Sequence, residues 1–226
     1  MNRVSLAVKS SVLLLLTASV GVAGPRAGIA TTAWELDFEF YDPQRISLRL
    51  PGDTHETTYW YVVYRVTNRS GQDVKFLPTF RMVTDDLQEV VAGDGVDPLA
   101  YDAIADRHRV EFPFFAPPAK VTGMLLQGEV NARTSAAAFK TFDTTSAGFK
   151  LLIAGLSGEM KRVTNAAFDS DTPESDGKPR VFLFRRTLQV FYDLPGDVQT
   201  RTIGTPVRRS REWIMDPMTP AIAASK

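Results

Sequence analysis

The chain has 226 residues, 44% of them hydrophobic and 10% aromatic, which is enough apolar surface for a full core in one large β domain or two small ones. It contains no cysteine, and this excludes thiol nucleophiles, disulfide chemistry, zinc ribbons, blue-copper ligation and a lipid-modified cysteine anchor. Lys plus Arg and Asp plus Glu each number 26, a balance that supplies no electrostatic reason for nucleic acid or an anionic membrane surface as a partner.

Residues 1–23 read as a signal peptide. Arg3 and Lys9 form a positive start, and an apolar run from Val12 to Ala23 follows. A membrane span needs about 20 apolar residues. This run is shorter and stops at Gly24-Pro25-Arg26. Gly21 and Ala23 are small residues at the −3 and −1 positions of a cleavage site, with a cut after Ala30 as the alternative and an uncleaved anchor as the rival reading. Removing Arg3 and Lys9 leaves 24 basic and 26 acidic side chains, a net charge of about −2. The expectation is an exported protein of the periplasm, cell envelope or exterior, with a linker over 24–30 and one domain over 31–216.

From Trp34 onward the pattern is that of strands. Trp34, Leu36, Phe38 and Phe40 alternate with Glu35, Asp37 and Glu39, a period of two with one wet face. Asp42-Pro43 breaks the run. Ile46, Leu48 and Leu50 predict a second strand ending at Pro51-Gly52-Asp53, where Pro presets φ and Gly accepts the positive φ of a type II turn. Residues 58–67 are β-branched or aromatic almost throughout and apolar on both faces, which predicts a central strand covered on both sides. Phe76, Pro78, Phe80 and Met82 line one face of a fourth strand, with Pro78 marking an edge or bulge.

Between Asp97 and His108 the period changes. Asp97 suits an N-cap and Pro98 the first helical position, with Leu99, Ala103, Ile104 and Arg107 at helical spacing, so one short helix is expected, crossing between two sheets. Phe112 to Pro118 is an extended loop whose phenylalanines are expected to plug one end of the core. Strands resume at 121–127, 137–143, 149–154 and 181–192. A flexible acidic loop is expected over 164–179, a final strand carries Trp213 and Ile214, and 217–226 reads as a disordered tail. About eight or nine short strands without βαβ alternation predict an all-β fold, a two-sheet antiparallel sandwich with one short helix.

Several stretches carry a resemblance: Tyr59-Trp60-Tyr61-Val62-Val63-Tyr64, Val66-Thr67-Asn68 with Gly71, Pro78, Gly155-Leu156-Ser157, Tyr192-Asp193-Leu194-Pro195-Gly196-Asp197 and the late Trp213. Over roughly 36–214 the chain resembles uncharacterised exported bacterial proteins with an immunoglobulin-like sandwich. It is also similar, more distantly, to sandwich modules of bacterial surface lipoproteins, without their anchoring cysteine. The resemblance implies the immunoglobulin-like fold and no activity.

The search for chemistry is mostly negative. Gly155-Leu156-Ser157-Gly158-Glu159 misplaces the last glycine of a nucleophile elbow and no helix follows, so Ser157 reads as a turn serine. His55 and His108 lack any paired metal spacing. Calcium, which needs only oxygen ligands, has a candidate set in Asp169, Asp171, Glu174 and Asp176, and a second in Asp94 and Asp97; the bland reading of both is a solvated loop. Tyr59 and Tyr61 share a strand face and would make a platform for a sugar ring if exposed. A hydrolase built on a carboxylate pair has no placeable residues. The leading expectation is therefore a non-catalytic module without a cofactor that engages a protein or an envelope polymer. Carbohydrate binding through Tyr59 and Tyr61 is the alternative, and a carboxylate hydrolase comes third. Intact-mass measurement of the exported protein is expected to place its N-terminus at Gly24; a retained Met1 would refute cleavage.

Overall fold

A computed structural model describes residues 33–142, 145–165, 180–201 and 203–218. The expected signal over 1–23, the linker over 24–30, all but the first two residues of the 164–179 loop, and the tail from 219 lie outside the described residues. The strands are β1 (Asp37–Phe40), β2 (Gln44–Leu48), β3 (Thr57–Thr67), β4 (Val74–Phe76), β5 (Thr79–Thr84), β6 (Glu89–Val91), β7 (Gly123–Leu125), β8 (Arg133–Lys140), β9 (Gly148–Ala154), β10 (Met160–Thr164), β11 (Val181–Asp193) and β12 (Val207–Pro217). The helices are α1 (Pro98–His108), α2 (Pro118–Val121) and α3 (Val198–Arg201). The fold is mostly β, in three antiparallel sheets.

β3 is the centre of the first sheet. One of its edges pairs with β8, Trp60 opposite Phe139; the other pairs with β2 and then β1, Tyr61 opposite Gln44 and Tyr64 opposite Phe40. β1 and β2 are one edge interrupted at Asp42-Pro43, where Pro cannot donate to a ladder. The break is held by the Tyr41 N–H on the Val63 carbonyl at 2.9 Å. The second sheet runs β12, β11, then β9 with β10 continuing along the same edge of β11, then β5 and β6. A small third sheet pairs β4 with β7.

Both faces of β3 are buried, as its double apolar pattern requires. Trp60, Val62, Tyr64 and Val66 point into the main core, where they meet Phe80 and Met82 of β5, Leu151 and Ile153 of β9, and Leu188, Val190 and Tyr192 of β11. The two larger sheets thus share one apolar interior. Trp60 is fully buried, stacks on Phe142 at 5.4 Å, and carries the Arg45 guanidinium over its ring at 4.1 Å. Its indole N–H has no acceptor among the described residues. The opposite face of β3 presents Tyr59, Tyr61 and Val63 to a second cluster, closed by Ala100 and Ile104 of α1.

Several expectations need correction. Residues 76–82 are two strands, because the chain switches sheets at Leu77-Pro78: β4 pairs with β7, whereas β5 pairs with β9 and β6. Gly155 packs against that switch with φ +87°, and a Cβ there would stand 2.5 Å from the Leu77 carbonyl. α1 begins as expected, the Asp97 carboxylate accepting the Leu99 N–H at 2.9 Å, but Ala100 rather than Leu99 faces inward. The helix covers the outer face of the first sheet. Phe112 and Phe115 pack on this second cluster, not on the main core, and Phe114 is exposed. β6 and β10, short and with little buried surface, went unpredicted. The turn at 50–53 is as expected, with Gly52 at φ +91° and the Asp53 N–H bonded to the Leu50 carbonyl at 3.0 Å.

Trp60→Ala is expected to cost about 3–5 kcal/mol in urea unfolding, since it opens a cavity between the two sheets. Trp60→Phe should cost less, because it keeps the stack on Phe142 and removes a buried donor without a partner. Equal losses in the two variants would contradict this account of the core.

Candidate functional site

Tyr59 and Tyr61 are only 3% and 1% exposed, covered by α1. Neither ring offers a face to a sugar, so the expected platform is not formed. The helix lies there because an apolar face of β3 left in water would forfeit its burial free energy. The Tyr61 hydroxyl instead donates to Gln44 Oε1 at 2.8 Å and meets His108 Nε2 at 3.0 Å, with Arg107 Nη1 at 3.3 Å, which ties α1 to the sheet. His55 is exposed and, among the described residues, bonds to its neighbour Thr54. Ser157 Oγ accepts the Glu159 N–H at 3.1 Å, the turn role expected of it. Asp169, Asp171, Glu174 and Asp176 lie outside the described residues. Asp97 is spent on capping α1, and no cluster of three His, Asp or Glu among the described residues could hold a metal ion.

The feature that does assemble is a seam at one side of the molecule. β1 is an edge of the first sheet and β12 an edge of the second, and a groove of 420 Å³ opens between them. Glu35, Leu36, Asp37 and Phe38 line one wall; Leu188, Arg211, Glu212 and Trp213 line the other. Strand register explains the lining. Trp213 is opposite Leu188 and Arg211 opposite Val190, so their side chains share the inward face of β11. β12 has no strand of the first sheet across from it, and Trp213 stays 37% exposed.

Ion pairs hold the two walls together. Arg186 reaches Glu35 at 2.8 Å and Glu159 at 3.4 Å, and its guanidinium lies 4.4 Å from the Trp213 ring centre. Within the first wall, Arg69 binds Asp37 and Glu129 and holds β1 in place. At the other end, Asp42 accepts from both the Tyr192 hydroxyl at 2.9 Å and Arg208 at 2.6 Å, while Arg208 stacks on Phe40. Burial, reinforced by the hydrogen bond to Asp42, raises the Tyr192 phenol pKa. Beyond the seam, Arg81 and Asp216 form a largely buried pair that anchors the far end of β12. The seam carboxylates are all engaged: Glu35 by Arg186, Asp37 by Arg69, Glu212 by Gln189. Such an arrangement suits holding a surface in place better than moving protons.

Comparison with protein-family models, with curated proteins and with solved structures finds no match for this chain. Among the described residues no helix is long and apolar enough to cross a membrane.

In the sequence Trp213 stands out as part of the last strand and of the resemblance, whereas Arg186, Arg208 and Arg211 do not stand out. The signal available was compositional: Arg208-Arg209-Ser210-Arg211 lacks an apolar alternation, as an exposed edge strand does.

Burial pushes the Tyr64 phenol up to about 12 and raises Tyr101 as well as Tyr192. A phenol whose folded pKa lies above its unfolded value of about 10 contributes stability that is complete below pH 10 and lost as pH rises toward the folded value. Thermal melts from pH 8 to 12 should therefore show a fall above about pH 10. That fall should be shallower in the Tyr64→Phe, Tyr192→Phe double variant; identical slopes would refute the assignment.

Proposed function

We propose that this chain is an exported, non-catalytic module with an immunoglobulin-like sandwich fold that binds a protein or an envelope polymer through the seam between β1 and β12. Two observations support the sandwich: the larger sheets are antiparallel and they share one apolar interior. Export is supported by the positive start and apolar run of residues 1–23.

The observation that carries the binding role is the seam itself. It combines a groove of 420 Å³, a half-open tryptophan, apolar surface from Leu188 and Phe38, and a charged rim in which Glu35 and Asp37 are fixed by ion pairs. Buried aromatic anchors within a polar rim are the usual composition of an interface centre. The rim is held by the fold rather than by a ligand, so little ordering remains to be done when a partner arrives.

The test is site-specific photo-crosslinking in the producing cell. A photoreactive residue at Trp213 or Glu35 should yield a defined adduct of higher mass, and one at Asp102, on the exposed face of α1, should not. Adducts at all three positions, or at none, would end the seam reading. Fractionation of the same cells should recover the protein outside the cytoplasm.

A further inference from the structure

We infer that the free edge of β12 between Arg211 and Met215 takes an extended acidic segment of another protein as an added strand; this rests on the reading of the seam as a binding surface and names its partner. The Met218 N–H bonds to the Leu183 carbonyl at 2.8 Å, and this fixes the phase of the ladder. Residues 212, 214 and 216 turn their backbone groups toward β11, while Arg211, Trp213 and Met215 turn theirs away. No described residue takes up those outward groups. An edge of this kind is a template for another strand.

Three other edges are short or partly covered. β6 has three residues. The outer edge of β8 is covered by the Gly93 N–H on Ala138 and the Ala116 N–H on Thr134. The Arg45 carbonyl of β2 is taken by Arg107. The first half of β12 is itself blunted by a register shift opposite Phe191 and Tyr192, with Arg208 tied to Asp42 and Arg209 to Asp193. A bulge and charged residues are the usual means of closing an edge. From Arg211 to Met215 the strand is regular and carries a tryptophan.

Charge chooses the occupant. Arg186, Arg208 and Arg209 each have a carboxylate partner, but Arg211 is exposed and forms no ion pair among the described residues. An added strand with a carboxylate beside Arg211, and an apolar side chain two residues away beside Trp213, satisfies both because alternate residues share a face. A second copy of this chain does not. Antiparallel self-pairing across this edge sets same-face residues against each other, and that face of β12 holds Arg208, Arg211, Trp213 and Met215, with no carboxylate.

The probes are two ten-residue peptides in which every second residue is threonine and the residues between them alternate valine with glutamate in one peptide and valine with lysine in the other, so that the charged and apolar side chains share one face. They are titrated into the full exported chain and followed by amide hydrogen exchange. The glutamate peptide should bind at least about tenfold tighter, and its binding should slow exchange at Arg211, Trp213 and Met215 but not at Glu212 or Ile214. Arg211→Glu, at an exposed position, should reverse the preference with an unchanged melting temperature, and Arg211→Gln should abolish it. Equal affinity for the two peptides, unprotected amides at those three residues, or a dimer that Arg211→Glu dissociates would each overturn the inference. A crosslink at Trp213 combined with failed peptide binding removes the added strand and leaves the seam reading standing.

Discussion

β3 has to bury two apolar faces at once, and the rest of the structure follows from that demand. Trp60, Val62, Tyr64 and Val66 need a second sheet against them; Tyr59, Tyr61 and Val63 need a different cover on the other side. The second sheet supplies only the first. α1 supplies the second, with Ala100 and Ile104 as its small contact surface and the Tyr61 hydroxyl network as its polar fastening. Burying a large side chain is worth roughly 1.5–3 kcal/mol. Exposing either face would therefore take a substantial part of the marginal stability of a domain this size.

The same demand shapes the seam. The second sheet extends past the first because β11 carries its core residues inward along its length and still offers an edge to β12. Across from β12 the first sheet has ended at β1. The overhang is stabilised by arginines whose partners lie on other elements: Arg186 with Glu35, Arg208 with Asp42, Arg81 with Asp216. Pairs as exposed as the first two contribute little to stability individually. Their effect is positional, keeping β12 and β1 at a fixed separation so that Trp213 and Arg211 face an open groove.

Alternation made the strands readable wherever one or both faces were apolar: β1, β2, β3, β9 and β11 stand close to where residue pattern put them. It failed at β4 and β5, where Phe76 and Phe80 keep the same inward phase although the chain changes sheets between them. Side-chain phase carries no record of the hydrogen-bond partner. β10 and the first half of β12 were obscure for the opposite reason, being strands made by backbone pairing with little burial to mark them. Tyr59 and Tyr61 illustrate a third limit: the pattern calls for a cover over their face of β3 but does not say which element supplies it.

By itself the sequence determined the mostly β character, the turn at Pro51-Gly52, the cap and first residue of α1, and the strand whose two faces must both be covered. Each of these is a local matter of φ preference, side-chain period or capping chemistry, legible within a few residues. Only the tertiary structure decided which face α1 covers, where the chain changes sheets, and that Glu35 and Arg186, 151 positions apart, meet beside Trp213. Those outcomes depend on which strand edges find each other, and backbone hydrogen bonds are blind to residue type.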